Sequence, residues 1–272
     1  MTEHTFTTPE AIELYVELGS GSLTTRAGST DETRVAITGP RAEDFEVEQR
    51  GRTISVIAPR QRFGFGNDQH TVEVTLPTGS DLTGKIGSAD TLAEGSYRTV
   101  KLKVGSGDVE IETTTGPTVV ESGSGDVTCA HVEGDLRVKS GSGDVDLGEV
   151  LGTAGISTGS GDVLLGRAVG KAMLKTGSGD LQVQRMETDL QLSTASGDLL
   201  VRQALRGRLT VKSASGDMLV GVPDGTPVWT DISTVTGSVS SNLPSTGKPA
   251  EGQDHVEVRA TTVSGDVRLQ RA

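Results

Sequence analysis

The chain has 272 residues, 33% of them hydrophobic and 3% aromatic, with 37 glycines and a net charge of −12. So acidic a chain lacks the basic surface that nucleic acid and anionic membranes require, and no stretch reaches the ~20 apolar residues of a membrane helix, so no direct membrane insertion is expected. One cysteine, Cys129, excludes an intramolecular disulfide.

The N-terminal MTEHTFTTPE has no basic segment followed by an apolar run. No secretory signal is read there, and the cytoplasm is the expected compartment. Residues 1–80 then alternate apolar and polar over 12–17, 34–38, 53–58 and 71–76, the period of β-strands. A polar, glycine-rich loop is expected at 60–70 (RQRFGFGNDQH). This stretch reads as an N-terminal β-rich capping region.

From residue 81 to 218 the chain repeats. A Gly-Ser-Gly-Asp tetrapeptide or close variant recurs at one fixed interval, with Asp90, Asp108, Asp126, Asp144, Asp162, Asp180 and Asp198 in register. Asp217 follows one residue late, and Asp266 closes the chain. Counting each unit from its first glycine, position 5 is Val109, Val127, Val145, Val163, Leu181 and Leu199. Position 7 is Ile111, Cys129, Leu147, Leu165, Val183 and Val201, and position 16 is Val120, Val138, Ile156, Leu174 and Leu192. Apolar residues two apart mean strands, here at positions 5–8 and 14–18 of each unit. A fixed period of roughly 20 residues means stacked coils. The fold expected is an all-β, single-chain β-solenoid of about 18 residues per coil, with almost no helix. Such a coil suits either two arcs or three. Residues 219–272 lose register and read as irregular C-terminal coils and a second cap, with a loop near 244–254.

At the corner, position 18 (Ser122, Ser140, Thr158, Thr176, Thr194) and position 2 (Ser106, Ser124, Ser142, Ser160, Ser178, Ser196) share the parity of inward position 16, which predicts hydroxyl ladders lining the coil. Glycine at position 3 is expected to supply an unusual backbone angle. The Asp column is the sharpest candidate for chemistry. The calcium β-roll motif is G-G-x-G-x-D-x-U-x, but here Gly and Asp are adjacent and the second half of each unit carries no matching Asp. These aspartates are read instead as corner residues accepting backbone N–H bonds in an Asx-turn. Cys129 lies in an apolar column and is read as a buried, inert thiol. His4, His70, His131 and His255 lie in no motif. Lys139, Lys175 and Lys212 at position 17 form a mild cationic stripe on a solvated face. No catalytic residue, cofactor or metal ligand is assigned.

The unit (S/T)-G-S-G-D-(V/L)-x-(L/V), at 122–129, 140–147, 158–165 and 176–183, resembles the repeat of the bacterial DUF4097 family of adhesin-like, toastrack β-strand-repeat proteins. Residues 16–23 (VELGSGSL) are similar to that family's opening strand. The resemblance implies a β-solenoid with no catalytic residues to transfer, linked to cell-envelope stress systems or surface attachment. The expected function is a non-enzymatic interaction scaffold, a monomer that binds a protein or glycan partner. The alternatives are a self-assembling structural β-helix protein and a calcium-stabilised β-roll.

Overall fold

Strict alternation puts every second side chain on one face, and a constant step between units lays each strand over its copy in the next coil. The computed structural model describes residues 1–59, 69–243 and 252–272. It shows an all-β solenoid in two compact units, Met1–Gly134 and Asp135–Ala272. Most of the loop expected at 60–70, and residues 244–251 of the second, lie outside the described residues. Among the described residues, helical structure is limited to one 3₁₀ turn, Ala42–Asp44.

The first unit holds β1 (Thr2–Thr7), β2 (Glu13–Leu18), β3 (Gly21–Gly28), β4 (Glu32–Thr38), β5 (Glu46–Arg50), β6 (Thr53–Ile57), β7 (His70–Pro77), β8 (Asp81–Ile86), β9 (Asp90–Tyr97), β10 (Thr99–Val104), β11 (Val109–Thr114), β12 (Thr118–Ser122) and β13 (Val127–Val132). One sheet runs β1-β4-β7-β3-β9-β11-β13 and the other β5-β6-β2-β8-β10-β12. Each coil therefore has two arcs. From β8 onward like positions stack in parallel register, Thr99 lying over Asp81 and Val109 over Val127. The coil of β2 and β3 lies between that of β6 and β7 and that of β8 and β9, so spatial order departs from chain order. Antiparallel β1, β4 and β5 flank this end. Between the sheets, buried Ala42 and Phe45 close the core, and the Phe45 ring meets His70 edge-on at 5.0 Å.

The second unit holds β14 (Leu136–Ser140), β15 (Val145–Val150), β16 (Ala154–Thr158), β17 (Val163–Ala168), β18 (Ala172–Lys175), β19 (Leu181–Met186), β20 (Leu190–Ser196), β21 (Leu199–Ala204), β22 (Gly207–Ser215), β23 (Met218–Val222), β24 (Val228–Thr236), β25 (Val239–Ser241), β26 (Val256–Ser264) and β27 (Val267–Arg271). Its sheets run β15-β17-β19-β21-β23-β27-β25 and β14-β16-β18-β20-β22-β26-β24. Again the order is swapped at the end: the last coil in sequence, β26 and β27, inserts inside the coil of β24 and β25. The inward columns at positions 5, 7 and 16 are buried as the pattern predicts, and so are position 10 (Val150, Ala168, Met186, Ala204) and position 14 (Leu136, Ala154, Ala172, Leu190). Burying a Val or Leu contributes about 1.5–3 kcal/mol against its exposed state, so each coil is held chiefly by its two neighbours.

The corner glycines work differently from expectation. In the regular coils, position-3 glycines have no positive φ. They are required by approach: a Cβ on Gly161 would lie 2.0 Å from the Gly143 carbonyl oxygen one coil away. Positive φ at this position occurs at Gly216 (126°) and Gly265 (136°), where the register has slipped. Gly161→Ala is expected to lose about 2–3 kcal/mol in urea unfolding, because stacked backbones must separate. Gly155→Ala, whose Cβ would meet only the Leu136 carbonyl at 3.9 Å, is expected to be neutral or slightly stabilising.

Candidate functional site

The Asp column proves to be a ladder of backbone acceptors. In the first unit, the Asp108 N–H donates to Oδ1 of Asp90 at 3.1 Å and the Asp126 N–H to Oδ1 of Asp108 at 2.9 Å. In the second, the ladder climbs from Asp144 through Asp162, Asp180, Asp198 and Asp217 to Asp266 at 2.7–2.8 Å per step. It ends on the Ser238 N–H at 2.9 Å, which draws the Asp266 carboxyl below its ordinary range. The bond joins one coil to the next and is not the turn-local Asx bond expected. Each N–H also offsets the repulsion between carboxylates stacked about 5 Å apart. Among the described residues, no group of three or more His, Cys, Asp or Glu is arranged to hold a metal ion.

The hydroxyl column is half as expected. Position 18 points inward: Thr176 Oγ1 accepts the Gly179 N–H at 3.0 Å and donates to the Gly161 carbonyl at 3.2 Å, tying its own corner to the previous one. Thr158 does the same between Gly161 and Gly143. Position 2 is exposed in every regular coil, because the corner reverses parity after position 18. Cys129 is buried, and burial pushes its thiol up to about 12. His70 is buried, with Nε2 2.8 Å from the Pro40 carbonyl, and His131 Nε2 lies 3.8 Å from Glu133. Lys139, Lys175 and Lys212 stand exposed with Ser157 and Ser193 in register between them.

A further surface feature lies in the second unit. A groove of about 1000 Å³ runs past the corners holding Asp189, Arg206 and Asp254 onto the outer face of β22, β26 and β24. Parallel register sets Arg208, Glu257 and Trp229 side by side, with Arg259 two residues along from Glu257. Glu257 accepts from Arg208 Nε at 2.7 Å and from Arg259 Nε at 2.6 Å. Hydrogen bonding to Arg208, then to Arg259, holds its carboxyl below the usual glutamate value. The Arg259 guanidinium lies 5.6 Å from the centroid of the Trp229 ring, which is 51% exposed. The backbone N–H of Arg208 donates to Asp189 Oδ1 at 2.9 Å, which fixes the strand that carries it. His255 also lines the groove. The result is an ordered aromatic platform beside fixed donors and acceptors, suited to binding. Trp229 is the chain's single tryptophan and lies in the C-terminal region that loses register, where sequence alone gives it no role. The available signal was a lone Trp at an outward position of an alternating segment.

Parallel two-sheet coils with Gly- and Asp-built corners define a β-solenoid repeat protein. The chain belongs to the Toastrack DUF4097 family, whose profile matches residues 10–270. Among solved structures, it is similar to a candidate lipid-binding protein from Parabacteroides distasonis at 14% identity, covering 98% of this chain and 96% of that one, with a TM-score of 0.52. It also matches candidate adhesins from Bacteroides fragilis (14% identity, 98% and 96% covered, TM-score 0.42) and Parabacteroides merdae (10% identity, 98% and 95% covered, TM-score 0.39). At this identity the first likeness is one of fold. No curated protein matches the sequence.

Asp162→Ala, which deletes the acceptor for the Asp180 N–H, is expected to cost about 1 kcal/mol in thermal or urea unfolding, and Asp162→Asn clearly less. Since that oxygen already serves the backbone, the melting midpoint is expected to be the same in excess Ca²⁺ and in EDTA. Glu257 is depressed in the folded state, so its contribution is full above its ordinary value of 4.5 and is lost as pH falls through the lower folded value. The stability gap between wild type and Glu257→Gln should therefore shrink on acidification below pH 4.5, as read by unfolding at a series of pH values.

Proposed function

We propose that the protein is a non-enzymatic, adhesin-like binding scaffold and that its second unit recognises a glycan through the Trp229 groove. The observation that carries this reading is the half-exposed Trp229 ring, held beside the Arg208–Glu257–Arg259 network. An exposed indole face stacks on the apolar face of a sugar ring. Flanking guanidinium and carboxylate groups then hydrogen-bond its hydroxyls without first having to be ordered. Two acidic groups of the groove, Glu257 and Glu187, favour binding over proton transfer. Glu257 is shared between two arginines, and Glu187 between Arg167 (3.0 Å) and Arg185 (2.6 Å), with both carboxyls held low. A general acid or base at neutral pH needs the opposite shift.

The test is glycan-array binding of the purified chain followed by titration calorimetry of the best ligand. Trp229→Ala is expected to weaken binding at least tenfold, with the melting curve retained and Trp229→Phe keeping part of the affinity. Binding that survives Trp229→Ala, or no binding to any glycan, would overturn the reading.

A further inference from the structure

The second unit ends on β24, whose nine residues pair with β26 along one side, while among the described residues no strand pairs along the other. The Val256 N–H donates to the Pro227 carbonyl at 3.0 Å, which sets the parity of the ladder. Odd-numbered residues of β24 turn their peptide groups to β26. The peptide groups of Val228, Thr230, Ile232 and Thr234 face out of the sheet edge; beyond Thr234, which stands in register with Ser213 and Thr262, the corner reverses parity. The inward side chains of this terminal coil are also incompletely covered: Val228, Ile232 and Thr234 are part-exposed and Thr230 is exposed, while their neighbours in register on β26 are buried. On the outer face, Trp229 and Val235 are 51% and 75% exposed.

Open edges are normally blunted by charge, short length or proline. The edge strand β5 follows that rule, with Glu46, Glu48 and Arg50 in five residues. β24 does not: it is nine residues long, has no proline and carries a single charge, Asp231.

We propose that β24 pairs with β24 of a second copy of this chain, antiparallel, about a twofold axis at Ile232. In this register Ile232 opposes its counterpart and Thr230 opposes Thr234 on either side of it, each as a hydrogen-bonded pair. On the outer face, Trp229 then meets Val235, an aromatic against a β-branched residue. Asp231 meets Ser233, a carboxylate against a hydroxyl donor. On the inner face, the part-covered Ile232 of both copies extends a common core. A twofold at Asp231 would oppose two carboxylates, and one at Ser233 would leave both Val228 and Thr230 unpaired. Pairing β24 with β5 of another copy would set an apolar edge against a charged one and would repeat without closing. The twofold contact closes after two chains. It departs from the monomer expected from sequence, in which the edge position of β24 is not visible. It goes beyond the glycan reading and does not depend on it, since its bonds are between main chains.

Sedimentation velocity on the full chain tests the proposal. The wild type is expected to be a concentration-dependent dimer. Thr230→Pro removes an edge-facing N–H but no bond to β26 and is expected to give a monomer, with the melting curve retained and Thr230→Ala still dimeric. The charge at 233 tests the register independently. Ser233→Asp, facing Asp231 of the second copy in two symmetric pairs, should weaken the dimer about fivefold, and Ser233→Lys should tighten it by a similar factor. A wild type monomeric to concentrations on the order of 100 µM would overturn the proposal, as would a dimer indifferent to Thr230→Pro and to charge at 233.

Discussion

Everything in this protein depends on one constraint: at the corners, the backbone of each coil comes within hydrogen-bonding distance of the backbone of the next. Strands in a sheet stack about 4.8 Å apart whatever their side chains, but turns usually splay. Here they do not. Gly161 and Gly179 lack a Cβ that would strike the coil beneath. Thr176 ties its own corner to the previous one, and each aspartate accepts the N–H of its counterpart. Corner polarity is thereby satisfied within the stack. The constant period is sustained by these three side-chain types as much as by the apolar columns.

That constraint explains the unusual composition. Inward positions 5, 7, 10, 14 and 16 are the apolar places a coil offers, and position 18 must be a small hydroxyl. A chain with 33% hydrophobic residues and few aromatics can therefore be fully cored. A Leu or Val layer is thick enough because two sheets face each other across one side chain from each. Where a larger residue enters, as Tyr97 does, its hydroxyl needs a partner, and it finds Thr25 at 2.6 Å.

The outer faces are free of this constraint, so their side chains can vary from coil to coil. Along the regular coils they carry solvated lysines and serines. At the C-terminal unit, three consecutive strands instead align Arg208, Glu257 and Trp229 in one row, and the corners around them supply Asp189, Arg206 and Asp254. The row exists because β26 inserts between β22 and β24. In chain order, Trp229 and Glu257 would belong to successive coils with no arginine on the far side.

The sequence by itself determined the class of fold, the step between coils, the inward columns and the burial of Cys129, since a parallel in-register stack copies one local pattern and periodicity reports it directly. It also marked the aspartates as backbone acceptors, though not that their donors lie in the next coil. Only the tertiary structure decided that each coil has two arcs, because the two-arc and three-arc readings of the repeat share the same alternation. The same holds for the exposure of the position-2 serines, which turns on where the corner reverses parity. The swapped coil order at both ends was likewise beyond reach: pairing between strands far apart in the chain, as β2 with β8 and β24 with β26, is chosen by which edge best covers the core, a comparison of whole surfaces that no local period encodes. The Trp229 groove and the open edge of β24 both follow from that swap.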